Sequence, residues 1–337
     1  MSLLKARSAC WQSNGCFSYE EHVLPKPAAD EVVVSLAATT VNPIDVRRRD
    51  GYGRRLFGLL GAARYPLTLG NDIVGFVSGA PSGGIKGLKE GDRVFGCKPP
   101  SSQGAHASKV ILKAKHLRHA PKSVPDDILA ALPYNTATVL SAFDSLRLPR
   151  EQWRGKSVLI YGAAGGLGVL ATQMLVQWGA KVTAVAWPAL HATCRAAGAH
   201  SIYDPSQIAQ RSDRYDITVN FAAWDIDAEA RAKLSLAGIG HTTTVHPLMT
   251  ILDTEGFIKG AFSIMKMKRA VRRSLPPGRA FSWAIFKPKP GDLEWIGDFA
   301  ARGIFRPDIG LKARLDAAPT AFHHVAKAVP GRAILMP

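Results

Sequence analysis

The sequence lacks the cysteine patterns of zinc-binding proteins. Its four cysteines, Cys10, Cys16, Cys97 and Cys194, are scattered, and none belongs to a Cys-x-x-Cys pair. This spacing disfavours a structural zinc ion and indicates a reducing compartment. No apolar run reaches the roughly 18 residues of a transmembrane helix, and the N-terminus has no long apolar segment, so we expect no secretory signal. We therefore expect a cytoplasmic protein, or a mitochondrial matrix protein if the sequence is a trimmed precursor.

Acidic residues are few relative to basic ones. The chain has 26 Asp and Glu against 43 Lys and Arg, which gives a formal net charge of +17. Such an excess indicates polyanionic partners, namely nucleic acid, anionic lipid or phosphorylated ligands, or else a generally basic surface. No nucleic-acid-binding motif or aromatic platform accompanies the charge, so nucleic acid is not an expected partner.

The basic residues concentrate in two stretches. Nine basic residues and no acidic ones lie from Lys259 to Lys289, with apolar residues such as Phe262 and Met265 between them. A second group, the arginines at 47–49, 54 and 55, precedes an apolar run. A helix with a cationic face and apolar neighbours can lie on an anionic membrane. The alternative is a solvated cationic face, or one that an acidic protein partner neutralises.

Length and periodicity predict two domains. With 337 residues, 47% of them hydrophobic, the chain is longer than one ordinary domain and can bury a sizeable core. Residues 31–120 have the short strands and turn signals of a mostly β domain. From residue 125 onward strands alternate with helices, including a strand at 157–161, a helix at about 167–179 and a strand at 181–186. This alternation predicts βαβ units and a parallel sheet.

A glycine-rich turn follows the first strand of this second region. The sequence YGAAGGLG spans residues 161–168 with the spacing G-x-x-G-G-x-G, a variant of the dinucleotide-binding fingerprint. Free backbone N–H groups at a helix start attract a diphosphate, and bare residues let it approach. The alternative is that the glycines only pack a strand against a helix. The predicted diphosphate-binding residues are Ala163, Ala164, Gly165, Gly166, Leu167 and Gly168.

No carboxylate occurs from Gln152 to Tyr203. An acid at the end of the second strand would bind the ribose 2′-hydroxyl of NAD and repel a 2′-phosphate. Because this strand ends at Trp187 without one, while His191 and Arg195 follow on the next helix, NADPH is favoured over NADH. Trp187 stacks on the adenine or packs on the surface.

Four stretches carry a resemblance to a known family: TVNPIDVRRRDGYG (40–53), YPLTLGNDIVGFV (65–77), LKEGDRVFG (88–96) and the junction AALPYNTATVLSAF (130–143) that leads to the glycine turn. The chain resembles the medium-chain dehydrogenase/reductase superfamily, in its zinc-independent quinone oxidoreductase branch. Within it, the reticulon (Nogo)-interacting mitochondrial oxidoreductase subgroup is the most similar.

The resemblance implies an α/β fold with two domains. A GroES-like β-barrel domain, expected at residues 1–124 and 289–337, would carry the catalytic residues. A Rossmann domain with a doubly wound parallel sheet, expected at 125–288, would bind NADPH (NADP+). It also implies a homodimer and a substrate site in the cleft between the domains. Asn42 and Asp45 fill the first motif of the family and Asn71 stands where a zinc-binding His often lies, so no metal is expected.

Hydride transfer from NADPH to a quinone or an α,β-unsaturated carbonyl needs a donor for the product oxyanion. Asn42 can donate through its amide and Tyr52 through its phenol, and Asp45 can orient neighbours or a water. The alternatives are a turn former for Asn42 and a packed aromatic for Tyr52. By resemblance Thr136 lies against the nicotinamide. Phe221, Val245 and Phe286 follow or lie in strands whose carboxyl ends line a Rossmann cleft.

The family pattern is not followed everywhere. Trp187 and Pro188 stand where a Ser, Lys or Arg often binds the 2′-phosphate, and NFAAW replaces a glycine-rich sequence at 220–224. Both changes touch the predicted cofactor pocket. The sequence therefore leaves open an NADPH-dependent quinone oxidoreductase, an enoyl reductase of a biosynthetic pathway, and a catalytically degenerate cofactor-binding assembly protein.

Overall fold

The fold is taken from a computed structural model that describes residues 4–81 and 84–337. The chain forms two compact units. The first comprises residues up to Tyr134 together with Pro290–Gly303 and Pro307–Pro337, and the second comprises Asn135–Lys289 with Ile304–Arg306. In the described residues no helix is both long and apolar enough to span a bilayer.

The first unit is mostly β, as its alternating, β-branched sequence predicts. Its strands are β1 (Lys5–Trp11), β2 (Phe17–Val23), β3 (Glu31–Val41), β4 (Leu67–Thr68), β5 (Asp72–Gly79), β6 (Arg93–Cys97), β7 (Lys109–Lys113), β8 (Leu117–His119), β15 (Ile309–Arg314) and β16 (Arg332–Met336). Its helices are α1 (Pro43–Arg49), α2 (Arg54–Leu59), α3 (Asp126–Ala130), α11 (Asp292–Ala301) and α12 (Ala318–Ala326).

These strands form two sheets. A seven-stranded sheet has the order β15-β16-β3-β5-β6-β8, with β7 also paired to β3, and a three-stranded sheet has the order β2-β1-β4. The C-terminal strand β16 pairs antiparallel with β3, so the end of the chain completes a sheet begun near its start. Buried apolar side chains such as Val34, Ile73 and Val94 form the core against β3, β5 and β6.

The second unit is an α/β Rossmann fold, which confirms the predicted class. Its strands are β9 (Ser157–Tyr161), β10 (Lys181–Val185), β11 (Ser201–Tyr203), β12 (Ile217–Asn220), β13 (Gly240–Thr243) and β14 (Ala280–Trp283). Its helices are α4 (Pro133–Asp144), which starts at the end of the first unit, α5 (Gly166–Gln177), α6 (His191–Ala196), α7 (Pro205–Gln210), α8 (Asp227–Ala232), α9 (Leu248–Glu255) and α10 (Phe257–Arg273).

All six strands of the second unit run parallel, in the order β11-β10-β9-β12-β13-β14. The winding direction therefore reverses between β9 and β12, and a ligand binds a sheet of this kind outside the carboxyl ends of the strands at that point. The strand register aligns Val185, Tyr161, Asn220, Thr243 and Trp283 along this edge. Segments that follow these residues therefore share one edge of the sheet.

Candidate functional site

The glycine turn leaves β9 and enters α5 at the reversal point. Gly165 is the N-cap residue of α5, has an extended backbone and makes no side-chain cap, since it has no side chain. The first N–H groups of a helix have no acceptor within the helix, so those of this first turn are available to an anion. That these backbone N–H groups hold a diphosphate stays a prediction of the sequence.

The glycines of the turn lack a side chain for different structural reasons. Gly162 has φ of +77°, and a Cβ there would lie 2.9 Å from the backbone nitrogen of Ala222. A Cβ on Gly168 would lie 2.5 Å from Cα of Ala163, so this glycine lets the helix approach the turn. Gly165 differs, because a Cβ there would meet only the Gly162 carbonyl oxygen, at 3.4 Å. Gly165 is exposed, and packing within the fold does not require a glycine at this position.

The segment after β10 carries the residues predicted for the adenine and for the 2′-phosphate. Trp187 is 67% exposed, and a short turn of 3-10 helix follows it before α6. His191 turns back toward the strand, with its Nε2 3.1 Å from the Ala186 carbonyl oxygen. Arg195 is exposed on α6. His191 is thus brought to the end of the strand by a contact that the sequence alone did not reveal.

Three of the remaining predicted cofactor residues follow strands at the same edge of the sheet. Phe221 directly follows β12, Val245 follows β13 by two residues and Phe286 follows β14 by three. All three are partly buried. Thr136 lies in α4 and is fully buried, and its Oγ1 is among the buried polar atoms of the described residues that have no hydrogen-bond partner. A buried hydroxyl without a partner is costly, which is consistent with a ligand that completes it.

Sequence reasoning missed two polar side chains at this edge, His246 and Trp283. His246 lies three residues beyond β13, its Nε2 is 3.0 Å from the Ala284 carbonyl oxygen, and its ring stacks on Trp283 at 5.3 Å. His246 Nδ1 and Trp283 Nε1 are also buried atoms without a partner in the described chain. Burial lowers the pKa of His246 to about 4. A histidine three residues after a buried strand was the available signal.

The predicted catalytic residues of the first unit belong to a buried hydrogen-bond network. Asn42 precedes α1, and its backbone N–H donates to Asp45 Oδ2 at 2.8 Å. The other Asp45 oxygen accepts from the Gly70 backbone N–H at 2.9 Å. Asp45 therefore fixes the start of the helix against the loop before β5. The structure brings Asn42 and Asp45 together, and their catalytic roles stay predictions.

The side chain of Asn42 is fully engaged. Its amide donates to Thr40 Oγ1 at 3.0 Å and to Asp72 Oδ2 at 2.9 Å, and its Oδ1 accepts from Arg332. Thr40 also donates to Asp72. Because both amide hydrogens are used, these contacts favour a positioning role for Asn42. Direct donation to a product stays a prediction.

Asp72 and Arg332 are buried charged groups in the same network. Burial raises the pKa of Asp72, although the Arg332 guanidinium opposes this shift. Burial likewise lowers the pKa of Arg332, opposed by the carboxylates of Asp72 and Asp45. The two opposite charges stabilise each other in a buried place where water cannot solvate them. Neither residue was predicted, and only the pairing of β16 with β3 brings Arg332 here.

Tyr52, the third predicted catalytic residue, lies just before α2 and is partly buried. The Arg47 guanidinium lies 5.7 Å from the centre of its ring. A cation over an aromatic face holds the ring in place, so Tyr52 has a defined orientation. In the described residues, no group of three or more His, Cys, Asp or Glu is arranged to hold a metal ion. Catalysis without zinc stays a prediction.

Comparison with known proteins gives one family match and many relatives. Residues 28–122 match the Alcohol dehydrogenase GroES-like domain family. The Homo sapiens protein named NAD(P)H oxidoreductase RTN4IP1, mitochondrial, is 29% identical over 314 residues, which cover 88% of this chain and 79% of that protein. Reticulon-4-interacting protein 1, mitochondrial, of Caenorhabditis elegans is 28% identical over 335 residues, covering 94% and 91%.

Solved structures agree on the fold. The quinone oxidoreductase from Coxiella burnetii superposes with a TM-score of 0.81 at 20% identity and covers 99% of both chains. The structure titled CurK enoyl reductase superposes with a TM-score of 0.77 at 18% identity and covers 98% of this chain and 99% of that one. At such identities the similarity concerns the arrangement of helices and strands.

Proposed function

We propose that this chain, which resembles the medium-chain dehydrogenase/reductase superfamily, is an NADPH-dependent oxidoreductase that reduces a quinone or an α,β-unsaturated carbonyl. The observation that carries the proposal is the bare turn at Gly165, placed at the reversal point of a parallel sheet. The names of the RTN4IP1 relatives, NAD(P)H oxidoreductases, support the same reaction class.

The second unit supplies the groups that hold the cofactor. Backbone N–H groups at the start of α5 would hold the diphosphate, and His191 and Arg195 would hold the 2′-phosphate. Thr136 Oγ1, His246 Nδ1 and Trp283 Nε1 are buried polar atoms that a polar ligand could satisfy. When bound, NADPH supplies the hydride. The chain's own task is to orient it and exclude water.

We propose that the first unit supplies the proton. Tyr52 is the proposed donor to the reduced product, since a phenol can donate where a carboxylate cannot. Asn42 and Asp45 act as positioning residues, because their polar atoms bind Asp72, Arg332 and the Gly70 backbone. The domain boundaries, near residues 124 and 289, and a reaction without zinc are part of the same proposal.

Steady-state oxidation of NADPH tests this function. Purified protein is titrated with NADPH and with NADH, and turnover is then measured with a water-soluble quinone, an enone and an enoyl thioester. We expect tighter binding of NADPH and turnover with the quinone or the enone. Turnover only with the thioester would favour an enoyl reductase. Binding without turnover on any acceptor would favour a catalytically degenerate cofactor-binding protein.

Tyr52→Phe separates the roles of the two units. Loss of a general acid lowers turnover by about 100-fold or more, while NADPH affinity should remain, since Tyr52 belongs to the first unit. Tyr19→Phe, at an exposed tyrosine of β2, is the matched control and should leave both quantities unchanged. Equal turnover of Tyr52→Phe and the wild-type protein would remove Tyr52 from the mechanism.

We further propose partners and a location. A second copy of the chain would pair through β14, one of the two edge strands of the parallel sheet, and light scattering would measure the dimer. An anionic membrane surface is the other proposed partner, since a hydrophobic quinone dissolves in bilayers. For location we propose the cytoplasm or the mitochondrial matrix, and the names of the mitochondrial relatives support the second.

A further inference from the structure

Helix α10 exposes apolar side chains to solvent on one face. Ile258 is 81% exposed, Phe262 is 66% exposed and Met265 is 43% exposed. Their spacing, i, i+4 and i+7, puts them on one stripe of a helix. Isolated exposed apolar residues are ordinary, but a stripe of three large ones on one helix is an interaction surface.

The opposite face of α10 is the one that packs. Gly260 and Val271 are buried, and a Cβ on Gly260 would lie 3.2 Å from the Leu252 side chain of α9. Lys268 also turns inward, with its ammonium 5.1 Å from the centre of the Trp283 ring. The exposed stripe is therefore the face that points away from its own unit.

Basic side chains flank this stripe. Lys259, Lys266, Arg269 and Arg273 are exposed, and at 100° per residue they lie beside or between the three apolar residues. Helix α10 contains no Asp or Glu. The acid nearest in the sequence, Glu255 at the end of α9, accepts a hydrogen bond from Ser263 at 2.5 Å. The outward face thus combines apolar anchors with positive charge that no acid of the same helix compensates.

This combination selects one partner. Two copies meeting through this face would bring like charges together, which is unfavourable. A nucleic acid would neutralise the charge but leave the aliphatic stripe exposed. An anionic bilayer satisfies both, because acyl chains take up the apolar side chains while phosphate head groups bind the flanking Lys and Arg.

We propose that the outward face of α10 is a membrane-docking surface, with Ile258, Phe262 and Met265 entering the interface of an anionic bilayer and the flanking basic residues on its head groups. The proposal rests on the proposed function in one respect only: membrane docking would give the enzyme access to a hydrophobic hydride acceptor dissolved in the bilayer. The helix lies in the membrane plane and does not cross the bilayer.

Vesicle flotation tests the surface. The full chain is mixed with vesicles of phosphatidylcholine alone, and of phosphatidylcholine with phosphatidylglycerol, at low and high salt. One variant carries Ile258→Glu with Phe262→Glu, and a second replaces Lys259, Lys266, Arg269 and Arg273 by Gln. The matched controls are Leu236→Glu with Val329→Glu, at exposed apolar sites elsewhere, and Gln at the exposed lysines Lys26, Lys122, Lys181 and Lys327.

We expect the wild-type protein to float only with the anionic vesicles, and less at high salt. Both α10 variants should bind at least about tenfold more weakly, and both controls should bind as the wild type does. Melting midpoints and NADPH oxidation with a water-soluble quinone should be unchanged in all variants, which separates failure of this surface from failure of the proposed function.

Three results would overturn the inference. They are no flotation with anionic vesicles, an equal loss of binding in the charge-matched control, and a protein dimer that the α10 substitutions dissociate while lipid binding persists.

Discussion

Arg332 in the last strand donates a hydrogen bond of 2.7 Å from its Nη2 to the side-chain oxygen of Asn42, 290 residues earlier in the chain. Asn42 in turn donates to Asp72, so a buried cation and a buried carboxylate are joined through one amide. This link connects the C-terminal strand to the first motif of the sequence. Several consequences for stability and binding can be measured.

Arg332→Met should destabilise the protein by about 3 kcal/mol or more, because it leaves the buried Asp72 carboxylate without a compensating charge. Urea unfolding measures the loss. Arg314→Met, at an exposed arginine whose ion pair with Asp316 faces solvent, should cost about 0.5 kcal/mol or less. Adding Asp72→Asn to Arg332→Met should recover part of the loss. No recovery would mean that packing, and not charge, holds Arg332 in place.

Gly165→Ala should weaken NADPH binding by about tenfold or more while leaving stability within about 1 kcal/mol, since the new methyl group meets only the Gly162 oxygen. Gly168→Ala should instead cost about 1–3 kcal/mol, because its methyl group would overlap the Ala163 backbone. Cofactor fluorescence and urea unfolding give the two readouts. Unchanged NADPH affinity of Gly165→Ala would place the diphosphate elsewhere.

Replacing His191 and Arg195 by Ala should raise the Kd for NADPH by about tenfold and leave the Kd for NADH almost unchanged, because only the former carries a 2′-phosphate. Lys181→Ala is the matched control. It removes a positive charge from the opposite end of the same strand, β10. Equal weakening of both nucleotides would show that the two residues act on the fold and not on the phosphate.

Thr136→Val should leave the unliganded protein as stable as before, or stabilise it by about 1 kcal/mol, since the buried hydroxyl has no partner to lose. The rise in melting temperature caused by NADPH should become smaller. In Thr172→Val the lost hydroxyl donates to the Gly168 carbonyl at 2.8 Å, so this control should cost about 1 kcal/mol. A full NADPH-induced shift in Thr136→Val would remove Thr136 from the site.

His246 should make stability sensitive to acid. Burial lowers its pKa to about 4, so the unfolded chain binds the proton more readily and folding loses stability as the pH falls from about 6.5 toward 4. The expected contribution between pH 7.5 and pH 5 is about 2 kcal/mol. Unfolding of His246→Gln at the two pH values should show a correspondingly smaller loss. His323→Gln, at an exposed histidine, should behave like the wild-type protein.

The strand, turn and helix that form the candidate cofactor site could be predicted because they are local in the sequence. The strand predicted at 157–161 has those bounds as β9, and the glycine turn runs into α5 as expected. Strand, turn and helix are set by neighbouring residues, so their order in the sequence is enough. The roles of individual glycines were not separable, since Gly162 and Gly168 serve packing against residues that only the folded chain brings near.

The buried networks could not be predicted from the sequence. In the sequence, Arg332 is an ordinary basic residue at the start of the last strand, and His246 is one histidine in a loop. Their burial depends on which strands pair, and Arg332 meets Asn42 only because β16 pairs with β3. The basic stretch was visible in the sequence, but the sequence did not say which of its residues face outward.

The sequence by itself determined the alternation of strands and helices, the glycine-rich turn and the clusters of basic residues, because each depends on residues close together in the chain. Only the tertiary structure decided that the Asn42 amide donates a hydrogen bond to Asp72. It also decided that Lys268 of α10 turns inward while Phe262 of the same helix points outward. The physical reason is that burial and charge compensation are properties of groups in contact. Contacts between distant segments are set by strand pairing and helix packing.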